Sequence, residues 1–178
     1  MGGAPDRQPL DALQARLQHR FADTGLLSLA LTHRSFANPH NERLEFLGDS
    51  VLNLAVSRWL YQTLQHQDEG DLSRVRASLV KQDSLHAIAT KLGLSPLVRL
   101  GEGELRSGGR QRPSILADAV EALIGATFLD AGYEAAHRVV SRLFGEVIAA
   151  GDLGRWTKDA KTALQEWLQA RSEEHTSE

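Results

Sequence analysis

The chain has 178 residues, of which 42% are apolar and 24% charged, and it carries a net charge of −3. Its length suits one domain with or without an appendage, and its balance excludes wholesale disorder. The absence of cysteine excludes disulfide scaffolds, thiolate zinc sites and cysteine nucleophiles. No run of about 18 apolar residues could span a membrane, and residues 1–9 lack the basic-then-apolar order of a secretory signal. A cytoplasmic protein is expected.

Helical spacing dominates the chain. Leu10, Leu13 and Leu17 recur at i, i+3 and i+7, which predicts a helix over 10–20. A short helix is predicted over 26–31 and a long one over 42–65, with Asn41 as its N-cap. Asp71 caps the next, running to Lys81. Another covers 84–92 and stops at Gly93, as a left-handed terminal position requires. Four glycines and a proline over 101–113 read as a loop. Ser114 caps a helix to about Leu129, Asp130–Gly132 breaks it, and a last helix spans 134–149. No segment alternates with period two, so residues 10–150 read as one all-α helical bundle. Residues 151–157 read as a linker and 158–171 as a single amphipathic helix without a visible partner. The polar stretch 172–178 reads as a disordered tail that need not be native.

The chemistry concentrates in two segments. At about 100° per residue, Glu42, Glu45 and Asp49 fall within roughly 60° of one another, while Leu44, Leu47, Val51 and Ala55 lie opposite. In SILADAVEALIGATF, Asp118 and Glu121 are i, i+3 neighbours, and Leu116, Val120, Leu123 and Thr127 lie on the other side. Like charges on one face repel, so each group is either an exposed acidic stripe or part of a site. If the two apolar faces share one core, the acids can converge at its edge. Gly125, on the acidic side, would let another group approach the backbone. Oxygen ligands without His or Cys suit Mg²⁺ or Mn²⁺ rather than zinc, and metal-assisted phosphodiester hydrolysis is the natural inference. By spacing alone, Glu69 is a loop acid beside a capped helix. Phe46 projects between the acidic and apolar sides, either as a satellite core contact or as an anchor for a partner. Arg106, Arg110 and Arg112 in the glycine-rich loop are candidate phosphate contacts, with Arg74, Arg76 and Lys81 weaker ones. His33 and His86 read as structural.

Several motifs stand in order: LTHRSF at 31–36, NERLEFLGDSVLNLAVS at 41–57, DEGDLSRVRASLV at 68–80, LGEGELRSGG at 100–109 and SILADAVEALIGATFLD at 114–130. Together they resemble the ribonuclease III family, in its bacterial class with a single nuclease domain. The resemblance implies a ribonuclease III endonuclease domain over 10–150. It implies that Glu45, Asp118 and Glu121 ligate Mg²⁺, with Mn²⁺ as a substitute, and that Asp49 and Glu121 are catalytic, Asp49 helping to orient the attacking water. Glu42 and Glu69 become further acids of the active-site valley. Phe46 becomes an aromatic knob that enters a socket on the second subunit of a homodimer. The implied substrate is double-stranded RNA, including ribosomal RNA precursors and some mRNAs and tRNAs, cut to leave 5′-phosphate and 3′-hydroxyl ends. No small-molecule cofactor is implied. Residues 158–171 are similar to the first helix of the double-stranded-RNA-binding domain that follows the nuclease domain in this class, here incomplete. Two other readings compete: a non-catalytic relative that binds RNA as a scaffold, and a helical metallophosphohydrolase for small molecules. A scaffold has no reason to keep mutually repelling acids, and the second class commonly adds His to its acidic motifs, where this chain has none.

Overall fold

A computed structural model describes residues 7–149. They form eight α-helices in chain order: α1 Arg7–Leu17, α2 Thr24–Ala30, α3 Glu42–Thr63, α4 Glu69–Val80, α5 Gln82–Leu92, α6 Glu102–Arg106, α7 Pro113–Ala131 and α8 Tyr133–Ala149. A 3₁₀ turn, Gly109–Gln111, lies between α6 and α7. The all-α reading holds. Among the described residues the only extended pairing is an isolated parallel bridge between Thr32 and Arg99, and no helix is long and apolar enough to cross a membrane. The linker, the helix expected over 158–171 and the tail lie outside the described residues.

The centre of the bundle is α7. It is buried from Ile115 to Thr127 except at Asp118 and Glu121, so it is apolar around most of its circumference, as an interior helix must be. The two-faced helix expected from the sequence is corrected here, because α2, α3, α5 and α8 all pack on α7 and leave it only a narrow polar edge. The largest of these contacts is with α3, which buries Val51, Leu52, Ala55, Val56, Trp59 and Leu60 in the same core. Thr127 is fully buried and satisfies its hydroxyl by donating to the Leu123 carbonyl at 2.9 Å.

The α3–α7 crossing is close enough to involve backbone. A Cβ added to Gly48 would stand 1.8 Å from the Glu121 carbonyl oxygen, and one added to Gly125 would stand 2.3 Å from the Leu44 carbonyl oxygen. Neither position can carry a side chain without the helices separating. The close approach expected at Gly125 is therefore realised, and its partner at Gly48 is the half that the sequence reading did not anticipate.

Several helix ends differ from expectation. Asn41 occupies the first position before α3 but makes no capping bond. Its side chain is buried and donates to the Ala30 carbonyl at 3.1 Å, tying the start of α3 to the end of α2. The cap of α4 is Asp68, whose carboxylate accepts from Asp71 N at 2.8 Å, so this helix begins before Asp71. Pro113 opens α7 without a side-chain cap, since proline needs no partner for a missing N–H. The glycine-rich stretch is more ordered than a plain loop, holding α6 and the 3₁₀ turn. Gly93 ends α5 in the left-handed conformation, φ 65°, as the spacing predicts.

Gly48→Ala and Gly125→Ala should each lower folding stability by about 3 kcal/mol, because the added methyl meets rigid backbone. Gly103→Ala, where an added Cβ meets nothing within 4 Å, should cost nothing. Urea midpoints of the three variants check this.

Candidate active site: an acidic cleft

The crossing places two turns of α3 beside two turns of α7, and the acids of both line one open cleft of about 660 Å³. Glu42, Glu45 and Asp49 come from α3 and Asp118 and Glu121 from α7, with Phe46, Ser114 and Ile115 completing these two walls. The remaining rim is His33 and Arg34 from the α2–α3 connection, Glu104 from α6, and Arg112, which immediately precedes α7. The convergence inferred from helical spacing is thus present for all five acids it concerned. Glu69 does not line this cleft. It opens α4, where it accepts from Ser73 Oγ at 2.7 Å.

Burial governs the electrostatics. It pushes the Glu121 carboxyl up to about 8, helped by a hydrogen bond to Asp49 and by the charges of Asp49, Glu45 and Asp118. Glu45 is raised by burial first, then by Asp118, Glu42 and Asp49. Asp118 is raised by burial, against the opposing pull of His33. The hydrogen bond between Glu45 and Asp118 raises the first and lowers the second. Three of the cleft's carboxyls, Glu45, Asp118 and Glu121, are thus held above their ordinary range by burial and by neighbouring acids, as expected where carboxylates crowd. His33 is lowered by burial, partly offset by Glu104. Its ring nitrogen Nδ1 lies 2.7 Å from Ser35 Oγ, a structural bond at the cleft's edge.

Among the described residues no three acids or imidazoles are arranged as a ready-made metal cage. The donor set nevertheless fits a hard divalent cation: every floor group is a carboxylate, and the floor holds neither sulfur nor imidazole. A cation there would favour the ionised over the protonated carboxyls.

The sequence-named arginines separate. Arg112 lines the cleft. Arg110 is clasped to residue 95, its guanidinium donating to the Ser95 carbonyl at 2.9 Å while its own carbonyl accepts from Ser95 Oγ at 2.8 Å. Arg106 pairs with Glu102 at 3.3 Å on the open surface. Arg34 was not singled out by sequence reasoning, and its signal is its place in LTHRSF, next to His33. Phe46 is 80% exposed at the cleft's edge, which removes the satellite-core reading and leaves it available to a partner. His86 is half-buried on α5, outside the cleft.

A family model described as Ribonuclease-III-like matches residues 23–147. The chain belongs to the ribonuclease III family. Among family members it resembles, Ribonuclease 3 of Variovorax paradoxus is 67% identical over 160 residues, covering 90% of this chain and 70% of that protein. The fold is similar to a ribonuclease III nuclease domain from Campylobacter jejuni, described for structural flexibility in a region involved in dimer formation. That structure is 44% identical, with a TM-score of 0.75 over 77% of this chain and 96% of that one. Similarity extends to Dicer from Pichia stipitis, 27% identical, with a TM-score of 0.56 over 75% of this chain and 59% of that one.

Linkage fixes a pH signature for the metal-free protein. Glu121 holds a proton in the folded state up to about pH 8, whereas a carboxyl in the unfolded chain loses it near 4.5. The stability contributed by this group is complete below the lower value and is lost as pH rises through the upper one. The apo melting temperature should therefore fall between about pH 5 and 8, and Glu121→Gln should flatten the upper part of that fall. Thermal melts of both proteins across this range check it. Parallel curves above pH 6 would contradict the assignment.

Proposed function

We propose that this cleft hydrolyses phosphodiester bonds in double-stranded RNA, leaving 5′-phosphate and 3′-hydroxyl ends, in the cytoplasm, with ribosomal RNA precursors and some mRNAs and tRNAs as substrates. The observation that carries the reading is the convergence of Glu45, Asp49, Asp118 and Glu121 across the Gly48–Gly125 contact, in a chain whose relatives are named ribonucleases.

Glu45, Asp118 and Glu121 would hold the divalent cation, Mg²⁺ or Mn²⁺. When bound, such a cation supplies Lewis-acid stabilisation of charge at a phosphoryl oxygen. The side chains do the rest. Glu45, Asp118 and Glu121, held above their ordinary range without metal, would ionise to accept the cation. Asp49, on the open side of α3, would accept a hydrogen bond from the attacking water and orient it. Ile115 and the flank of Phe46 give the cleft dry edges, which strengthens every charge interaction inside. The rim arginines answer the polyanionic backbone, whose A-form helix is recognised largely by shape and by phosphate and 2′-hydroxyl contacts.

The active form is a homodimer. Phe46, four-fifths exposed at the cleft's edge, would be the aromatic anchor that a second subunit buries as it brings its own cleft alongside. Glu69, away from the cleft of its own protomer, retains its proposed role as a further acid of the valley running across such a pair. The scaffold reading is disfavoured, since the half-buried acids Glu45, Asp118 and Glu121 destabilise a domain that does not use them.

The test is incubation of a long RNA duplex with the protein, with and without Mg²⁺, followed by analysis of product ends, and sedimentation of the protein and its Phe46→Ala variant. Metal-dependent cutting to 5′-phosphate ends, its loss in Glu121→Gln, and a dimer weakened by Phe46→Ala are expected. Cleavage by Glu121→Gln at parental rate would refute the active-site assignment, and a monomer at micromolar concentration would refute the dimer.

A further inference from the structure

The rim of the cleft contains an ion pair that the carboxylate floor does not require. Arg112 Nη1 donates to Glu104 Oε2 at 2.9 Å, and Arg112 Nη2 reaches Ser107 Oγ at 3.4 Å. The chain is folded back to make this contact. Gly108 adopts the left-handed conformation, φ 79°, between α6 and the 3₁₀ turn. Gly109 then packs so tightly on Glu104 that an added Cβ would stand 2.8 Å from its carbonyl oxygen and 3.0 Å from Oε2. Ser107 Oγ donates to the same carbonyl at 3.2 Å. Glu104 is thereby held in place, its side chain 24% exposed, while Arg112 remains 42% exposed. The neighbouring pair Arg106–Glu102 differs: both side chains are more than four-fifths exposed and neither lines the cleft.

A guanidinium presents the same donor fork to a carboxylate and to a phosphate. Glu104 therefore occupies Arg112 in the way a backbone phosphate would, at the mouth of a cleft read as an RNA site. We propose that Glu104 is an internal competitor for Arg112, a carboxylate that stands in for phosphate in the free enzyme and is displaced when an RNA strand enters. The proposal rests on the reading of the cleft as a duplex-RNA site and names one control on its affinity. The ion pair exacts an exchange: Arg112 gains a phosphate only by giving up Glu104, so weakly held strands are disfavoured while a duplex held at many points is not.

The consequence is measurable as a non-additive pair of substitutions. Binding of a blunt RNA duplex is measured without divalent cation, so that affinity is read apart from cleavage. Glu104→Gln should bind about 2–5-fold more tightly than the parent, the range that a partly exposed ion pair is worth. Arg112→Gln should weaken binding more in the Glu104→Gln background than in the parent, because only there is no internal bond lost. Glu102→Gln removes the same charge one helical turn-face away and should change affinity less than Glu104→Gln. Equal gains from Glu102→Gln and Glu104→Gln would mean that net charge alone acts, and would overturn the proposal. Weaker binding by Glu104→Gln would show that Glu104 supports Arg112 and would also overturn it. Absence of duplex binding by the parent itself would defeat the RNA reading and this proposal with it, whereas duplex binding with additive substitutions would defeat this proposal alone.

Discussion

Everything distinctive in this domain depends on one backbone contact, the crossing of α3 and α7 at Gly48 and Gly125. Helices normally keep their axes apart by the width of interleaved side chains, about 8–10 Å. Here each glycine faces the other helix's main chain, and an added methyl at either would fall within 2.3 Å of a carbonyl oxygen. The closeness sets the positions of residues one turn away. Glu45 and Asp49 flank Gly48 on α3, and Asp118 and Glu121 precede Gly125 on α7, so a short interaxial distance becomes a short distance between carboxylates.

That proximity has an electrostatic cost, and the structure shows how it is met without metal. The core beneath the cleft is apolar and well packed, which withdraws water from the floor and raises Glu45, Asp118 and Glu121 together. Holding these carboxyls above their ordinary range eases the repulsion, since a neutral carboxyl does not repel its neighbour. The rim is built on a different rule: Arg34 with Glu42 at 3.4 Å and Arg112 with Glu104 at 2.9 Å are ion pairs of opposite sign. The crowded carboxylates of the floor and the arginines of the rim, reachable by anions, are the features on which the proposed reading rests. The same core that fixes the crossing therefore sets the protonation of the site.

Much of this was legible in the sequence because it follows from helical periodicity. The acids of 42–49 and 118–121 and the apolar residues opposite them predicted two helices with their charged edges together, and the fold places them so. The 3.6-residue period also located α3, α5 and α8 to within a few residues. What periodicity could not supply is contact between distant segments. Asn41 looks like an N-cap by type and position, yet its side chain is drawn to the Ala30 carbonyl by tertiary packing. Gly48 sits inside a helical run, where glycine is merely unfavourable until its neighbour across the crossing is known. Arg106, Arg110 and Arg112 are indistinguishable in a glycine-rich stretch, and only the reversal at Gly108 selects Arg112 for the cleft. Glu69 carries the opposite lesson, since its likeness to a family pattern does not bring it into the cleft with the other acids.

The central claim is that one cation site is assembled from both helices across the crossing. The most direct measurement is paramagnetic broadening of backbone amide resonances on titration with substoichiometric Mn²⁺. The account predicts simultaneous loss of signals from Glu45–Asp49 on α3 and Asp118–Glu121 on α7, with α4 and α8 unaffected. Broadening confined to one of the two helices, or centred on Glu69 and Asp71 at the start of α4, would contradict it.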